Sequence, residues 1–180
     1  MKRARWVLLT LAAVCSRPAA AQTCTATLVG GGGNCTTASI AASLTIGRIV
    51  QLTLSSTTTA LATPAAADFD AGFVASTGPT ATVYCNTACR LQISASTATW
   101  TGITTVPSAP ARANKPASDL QWSTASNGTF AGLTTTPTNV SSLGATAGTA
   151  VGIFYHTLYA WGLDTPGNYS LTVVFTLASP

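Results

Sequence analysis

The sequence predicts an all-β domain, an antiparallel sandwich of roughly seven to nine short strands, and three observations carry that prediction. Apolar and polar residues alternate with a period of two in several stretches, the pattern of a strand with one face buried. Clusters of Gly, Pro, Asn, Asp and Ser separate these stretches at short intervals. No stretch joins an apolar helical period to recognisable caps. Composition agrees. Of the 180 residues 47% are hydrophobic but only 7% are charged, against about a quarter in ordinary globular proteins. Threonine and serine replace the charges, and threonine, β-branched and polar, suits the wet face of a strand. Disordered chains are poor in apolar residues and rich in charge, so this chain reads as folded.

Taken in order, the first element is a leader, residues 1–21. Lys2, Arg3 and Arg5 form a positive head, Trp6 to Val14 an apolar run, and Ala19-Ala20-Ala21 a small-residue cleavage site before Gln22. The apolar run is too short to span a bilayer, which takes about 20 residues, so no membrane insertion is expected after cleavage. Cys15 is a poor lipidation site because bulky Val14 precedes it. The expectation is export to the periplasm, the cell surface or the medium. Residues 22–180 then form a single domain, long enough to bury a core.

Cleavage changes the charge. The full chain carries eight Lys and Arg against four Asp. Lys2, Arg3, Arg5 and Arg17 leave with the leader, so Arg48, Arg90, Arg112 and Lys115 face Asp68, Asp70, Asp119 and Asp164 at zero net charge. No basic patch remains for phosphates, which excludes nucleic acid as the expected partner. A neutral, Thr-rich surface repels copies of itself little, which suits a polymer or a surface layer.

Four cysteines remain after cleavage: Cys24, Cys35, Cys85 and Cys89. An even number in an exported chain reads as two disulfides, with three connectivities open. Proximity favours Cys24–Cys35 across the Gly30–Gly33 turn, and Cys85–Cys89 around Asn86-Thr87-Ala88. A four-cysteine zinc site is the rival, but export favours oxidation and no histidine lies nearby.

Ile40, Ala42, Leu44 and Ile46 alternate as a strand, and Val50, Leu52 and Leu54 resume the pattern after Gly47-Arg48, where a bulge or a change of sheet is expected. Residues 55–70 read as a polar connection. Thr82-Val83-Tyr84 and Leu91, Ile93 and Ala95 flank the cysteine loop as a hairpin would. The stretch Thr97–Thr101 carries Trp100, a Pro-rich loop covers residues 106–116, and Leu120–Ser123 and the neighbourhood of Phe130 read as short strands. Residues 134–149 read as loop and weak strand. Val151 to Trp161 places Val151, Ile153, Tyr155, Tyr159 and Trp161 on one face. Tyr169 to Leu177 does the same for Tyr169, Leu171, Val173, Phe175 and Leu177, with Asp164-Thr165-Pro166-Gly167-Asn168 as the turn between.

That last segment, Leu163 to Val173, resembles the closing hairpin of exported bacterial immunoglobulin-like sandwiches, among them pilin-like spore coat protein U domains. In these a Pro-Gly-x-Tyr turn feeds the final strand, with glycine for the turn and tyrosine to pin the corner. The early Cys24 and the Thr-rich strands fit the same group. Unlike many coat-U proteins, this chain has no Phe-Gly-x-Tyr early in its mature part. The resemblance implies an immunoglobulin-like fold and an extracellular structural or assembly subunit, with itself or other surface proteins as partners.

Chemistry is sparsely represented. His156, the only histidine, lies mid-strand between Tyr155 and Thr157, and no nucleophile elbow, zinc motif or phosphate loop is present. The chain therefore reads as non-enzymatic, without catalytic, metal or cofactor residues. Asp68 and Asp70, the one close carboxylate pair, would share a strand face, yet calcium wants six to eight oxygens and a third acidic ligand is missing. Lys115 is the one amine a mature chain offers for an intramolecular isopeptide crosslink, and it sits in the Pro-rich loop. The main alternative is a secreted carbohydrate-binding module, whose glycan platform would draw on Trp100, Trp122, Trp161, Tyr155, Tyr159 and Phe130. Core packing is the competing role for most of these rings.

Overall fold

The computed structural model describes residues 42–179. The chain divides into two units, one ending at Thr45 and the other running from Ile46. Residues 42–45, the described part of the first, have no regular structure. The second is antiparallel β throughout. Its strands are β1 (Val50–Leu54), β2 (Phe73–Cys85), β3 (Cys89–Ala95), β4 (Thr101–Thr104), β5 (Leu120–Ser123), β6 (Ala131–Gly132), β7 (Thr138–Leu143), β8 (Thr146–Leu158), β9 (Gly167–Ser170) and β10 (Val173–Ala178). A short helix α1 (Ala66–Ala71) and a 3-10 turn (Ala117–Asp119) complete it. The all-β class predicted from alternation holds, with ten strands among the described residues against the seven to nine expected.

Three sheets result, ordered β1-β2-β8-β5-β6, β10-β3-β7 and β4-β9. The first two share their cores. Ala81, Val83 and Cys85 of β2 bury against Cys89 and Leu91 of β3, with Leu52, Leu54, Phe175 and Leu177 packed around them. A second cluster joins Ile93 and Ala95 to Trp100, Leu120, Trp122, Leu133, Ile153 and Tyr155. Burial of these side chains is the main force holding the layers together, at about 1.5–3 kcal/mol per fully buried large aliphatic residue.

Alternation predicted the faces well. Along β8, Ile153, Tyr155 and Thr157 are buried while their neighbours are half-exposed. Residues 169–177 alternate half-buried and exposed, with the five expected residues inward. Connectivity departs from expectation at several points. Cys85 and Cys89 do not close a hairpin: β2 pairs with β1 and β8, and β3 with β10 and β7, so the loop carries the chain from one sheet to the other. The single closing strand is two strands. The chain breaks at Leu171-Thr172, β9 pairs with β4 and β10 with β3, so neither forms a hairpin with β8. The strand expected over Ile40–Ile46 is absent in its described part, residues 42–46, which lie irregular; Ile40 and Ala41 fall outside the described residues.

The connection 55–70 holds a helix that escaped notice because six residues carry no readable period. Asp68 accepts a hydrogen bond from the Ala65 N–H at 2.7 Å, and Gly72 ends the helix at φ 81°, the left-handed cap glycine tolerates. Asp68 and Asp70 therefore lie on a helix and do not alternate along a strand.

Candidate functional site

One large concavity opens in the second unit, about 1060 Å³ in volume. Its floor is core, Trp100 with Leu120 of β5 and Tyr155 and Thr157 of β8, joined by the half-buried Tyr169 of β9, Leu171, and Val173 and Phe175 of β10. The stretch from Ser56 to Pro64 forms one wall. The groove lies beside β1 and β10, each the last strand of its sheet. Thr157, 2% exposed, lines it too, and its Oγ1 is a buried hydroxyl without a hydrogen-bond partner. Buried polar groups are nearly always paired, and this hydroxyl is the exception among the described side chains.

At one end of the groove lies an ion cluster. Lys115 is 2% exposed and spends its ammonium on three acceptors: Asp164 Oδ1 at 2.7 Å, Leu158 O at 2.8 Å and Asp119 Oδ2 at 3.1 Å. Arg112 Nη1 donates to the same two carboxylate oxygens, each at 3.1 Å. Asp164 Oδ2 accepts the Ala160 N–H at 2.9 Å, and the ammonium stands 5.1 Å from the centre of the Tyr159 ring. Two cations and two carboxylates leave the cluster neutral, which a buried site requires. Burial by itself would raise the Asp164 carboxyl. The hydrogen bonds from Lys115, Ala160 and Arg112, with the Lys115 charge, outweigh it and hold the group below its usual 3.8. The Tyr159 hydroxyl is pushed up, by burial first and then by Asp164 and Asp68.

Beside the cluster, Tyr169 fastens the turn that leads into β9. Its hydroxyl donates to Thr165 O at 2.8 Å and accepts the Arg112 N–H at 2.7 Å. These two hydrogen bonds tie the turn to the Pro-rich loop.

Of the six aromatic residues of the expected glycan platform, Trp100, Tyr155, Tyr159 and Trp161 line the groove, but the six do not form one exposed face. Trp100, Trp122 and Tyr155 are core, and burial lifts the Tyr155 hydroxyl to about 12. Phe130 lies elsewhere, stacked at 3.5 Å on His156, whose other neighbour is Phe73 at 4.2 Å. His156 is mid-strand as expected, and burial lowers its pKa. Tyr159 and Trp161 meet through Phe69: its ring lies 5.4 Å from Tyr159 and 4.6 Å from Trp161. Trp161 is 62% exposed, and its Nε1 donates to Asp70 at 2.9 Å. It stands in the turn after β8, so the expectation that it continues that strand fails.

Cys85 and Cys89 form a disulfide with Cα atoms 6.4 Å apart, and both are buried. Cys24 and Cys35 lie outside the described residues. Among the described residues no group of three or more His, Cys, Asp or Glu is placed to hold a metal ion. Sequence reasoning missed the ion cluster. Its signals were slight: the Lys115–Asp119 spacing of four, and the scarcity of charge that makes any charged residue beside prolines conspicuous. No protein-family model and no curated protein matches this chain.

Proposed function

We propose that this chain is an exported, non-enzymatic subunit of a surface assembly, a coat, pilus or envelope component, folded as an immunoglobulin-like sandwich. Two facing sheets, a tyrosine-pinned corner and the disulfide support the fold and an oxidising compartment. The observation that carries the assembly reading is the groove beside β1 and β10, which leaves core side chains within reach of an outside segment. Open strand edges accept an added strand through backbone hydrogen bonds, while apolar pockets select alternate side chains.

The occupant we infer is the segment Ile40–Ile46 of a second copy. It has a strand's alternation, Ile40, Ala42, Leu44 and Ile46 against Ser39, Ala41, Ser43 and Thr45. Its described part is unpaired, and Ile46 and Ile49 are 72% and 63% exposed. Light scattering and electron microscopy on the chain from Gln22 test this. Oligomers or fibres are expected, and Leu44→Asp with Ile46→Asp should leave monomers of unchanged circular dichroism. A wild-type chain that is strictly monomeric would sink the reading. Trp161 and Tyr159 at the groove mouth favour a second reading, glycan binding. A monomer that binds oligosaccharide and loses it on Trp161→Ala would establish that one instead.

A further inference from the structure

Lys115 is buried and its ammonium is fully engaged. All three ammonium protons are directed at oxygen, two of them at carboxylates, and almost none of the residue meets solvent. Amine and carboxyl oxygen stand 2.7 Å apart although their residues are 49 positions apart in sequence. A second carboxylate, Asp119, touches the same amine at 3.1 Å. Holding two reactants in contact like this replaces a bimolecular encounter, an advantage worth effective concentrations of roughly 10⁵–10⁸ M when well oriented.

We propose that Lys115 and Asp164 condense into an intramolecular isopeptide bond, with Asp119 relaying the proton. The step balances without an oxidant or a further reagent. The ammonium passes one proton through the Asp119 carboxylate to Asp164 Oδ1. Its freed lone pair attacks Asp164 Cγ and forms the N–C bond. The Cγ–Oδ1 bond breaks with its electron pair, Oδ1 takes a second proton from nitrogen, and one water leaves. Burial works toward the neutral acid at Asp164, against the hydrogen bonds that hold the group ionised.

Charge that develops on Oδ2 in the tetrahedral intermediate meets the Ala160 N–H, already 2.9 Å away. Arg112 opposes the first proton transfer, because it stabilises the ionised carboxylate. It also keeps the cluster neutral, and so keeps the reactants together, 22% exposed on the open side. A bond made once in the lifetime of the protein needs no rapid turnover. The released water has a route out, since Lys115 and Asp164 both line the groove. The product ties the Pro-rich loop to the turn after β8, a covalent tether useful in a subunit under mechanical load.

Intact-mass measurement on the mature chain decides the matter, after reduction and alkylation so that disulfides do not contribute. The proposal expects a mass lower than the sequence value by one water, about 18 Da. Lys115→Arg and Asp164→Ala should each restore the full mass for their sequence. Asp119→Asn, which keeps both reactants, should leave the chain largely uncondensed. Trypsin cannot locate the bond, because Pro116 follows Lys115 and no Lys or Arg comes later. Chymotrypsin cuts at Trp122 and Tyr155 between the partners, so a linked peptide pair locates it. Wild-type protein at the uncondensed mass overturns the proposal whether or not any variant folds. Condensation that persists in Asp119→Asn overturns the relay.

Discussion

At the scale of single residues, half of the charges from Gln22 onward act on one another. Four of those eight charged residues sit in the Lys115 cluster, and Asp68 and Asp70 are engaged by Ala65 N–H and Trp161 Nε1. Two pH effects follow, with opposite kinds of group and the same sign. In the ion-paired cluster the folded Asp164 pKa is depressed, so its contribution is present above the unfolded carboxylate value and lost as pH falls through the folded one. In uncondensed protein the melting temperature should therefore fall in acid, below about pH 4. Condensation removes that carboxyl, so a condensed chain should lack the Asp164 component and Asp164→Ala should not restore it.

His156 contributes at higher pH. Its folded pKa is lowered, so the unfolded chain takes up the proton first, and stability is lost as pH falls below about 6.5. Replacing it with Gln should flatten the melting curve between about pH 7 and 5. An unchanged slope would show that the Phe73–His156–Phe130 stack tolerates the charged ring.

At the scale of elements, the sequence was most legible where one face is buried against a core. Residues Leu120–Ser123 are a strand with the bounds read from sequence, and the inward sets of β8 and of residues 169–177 follow the alternation. Alternation says which face is buried but not which neighbour a strand takes. That is why the cysteine loop passed for a hairpin turn, and why the break at Leu171-Thr172 went unseen: the face is the same on both sides of it, while the partner changes from β4 to β3. The ion cluster was illegible for a related reason, since Arg112 and Asp164 are 52 positions apart. Because Cys85–Cys89 bridges the two sheets across a short loop, its loss should cost about 2 kcal/mol. Denaturant unfolding of the Cys85→Ser, Cys89→Ser double variant measures it. A sharper packing test lies at Gly78, beside the irregularity between Thr77 and Thr80. An added Cβ there would meet Tyr155 Cε2 at 2.5 Å and Ile153 O at 3.0 Å. Tyr155 is core and Ile153 O is backbone, so Gly78→Ala should destabilise by about 1–3 kcal/mol.

At the scale of the whole molecule, the consequence of so few free charges concerns association. Outside the Lys115 cluster, Arg48 and Arg90 balance Asp68 and Asp70 in number, so two copies of residues 22–180 would meet without net repulsion. On the proposed strand addition, association would be driven by burial of Ile40, Leu44 and Ile46 and by backbone hydrogen bonds, neither of which is screened by salt. Raising ionic strength from about 0.05 to 0.5 M shortens the screening length several-fold, and would weaken an interface built on ion pairs. Here the association constant from sedimentation or light scattering should stay level or rise modestly. The Leu44→Asp, Ile46→Asp chain should stay monomeric across that range. A steep loss of oligomer with salt would place the contact on charged residues such as Arg48 and Arg90 and away from the groove, and the strand-addition reading would fall with it.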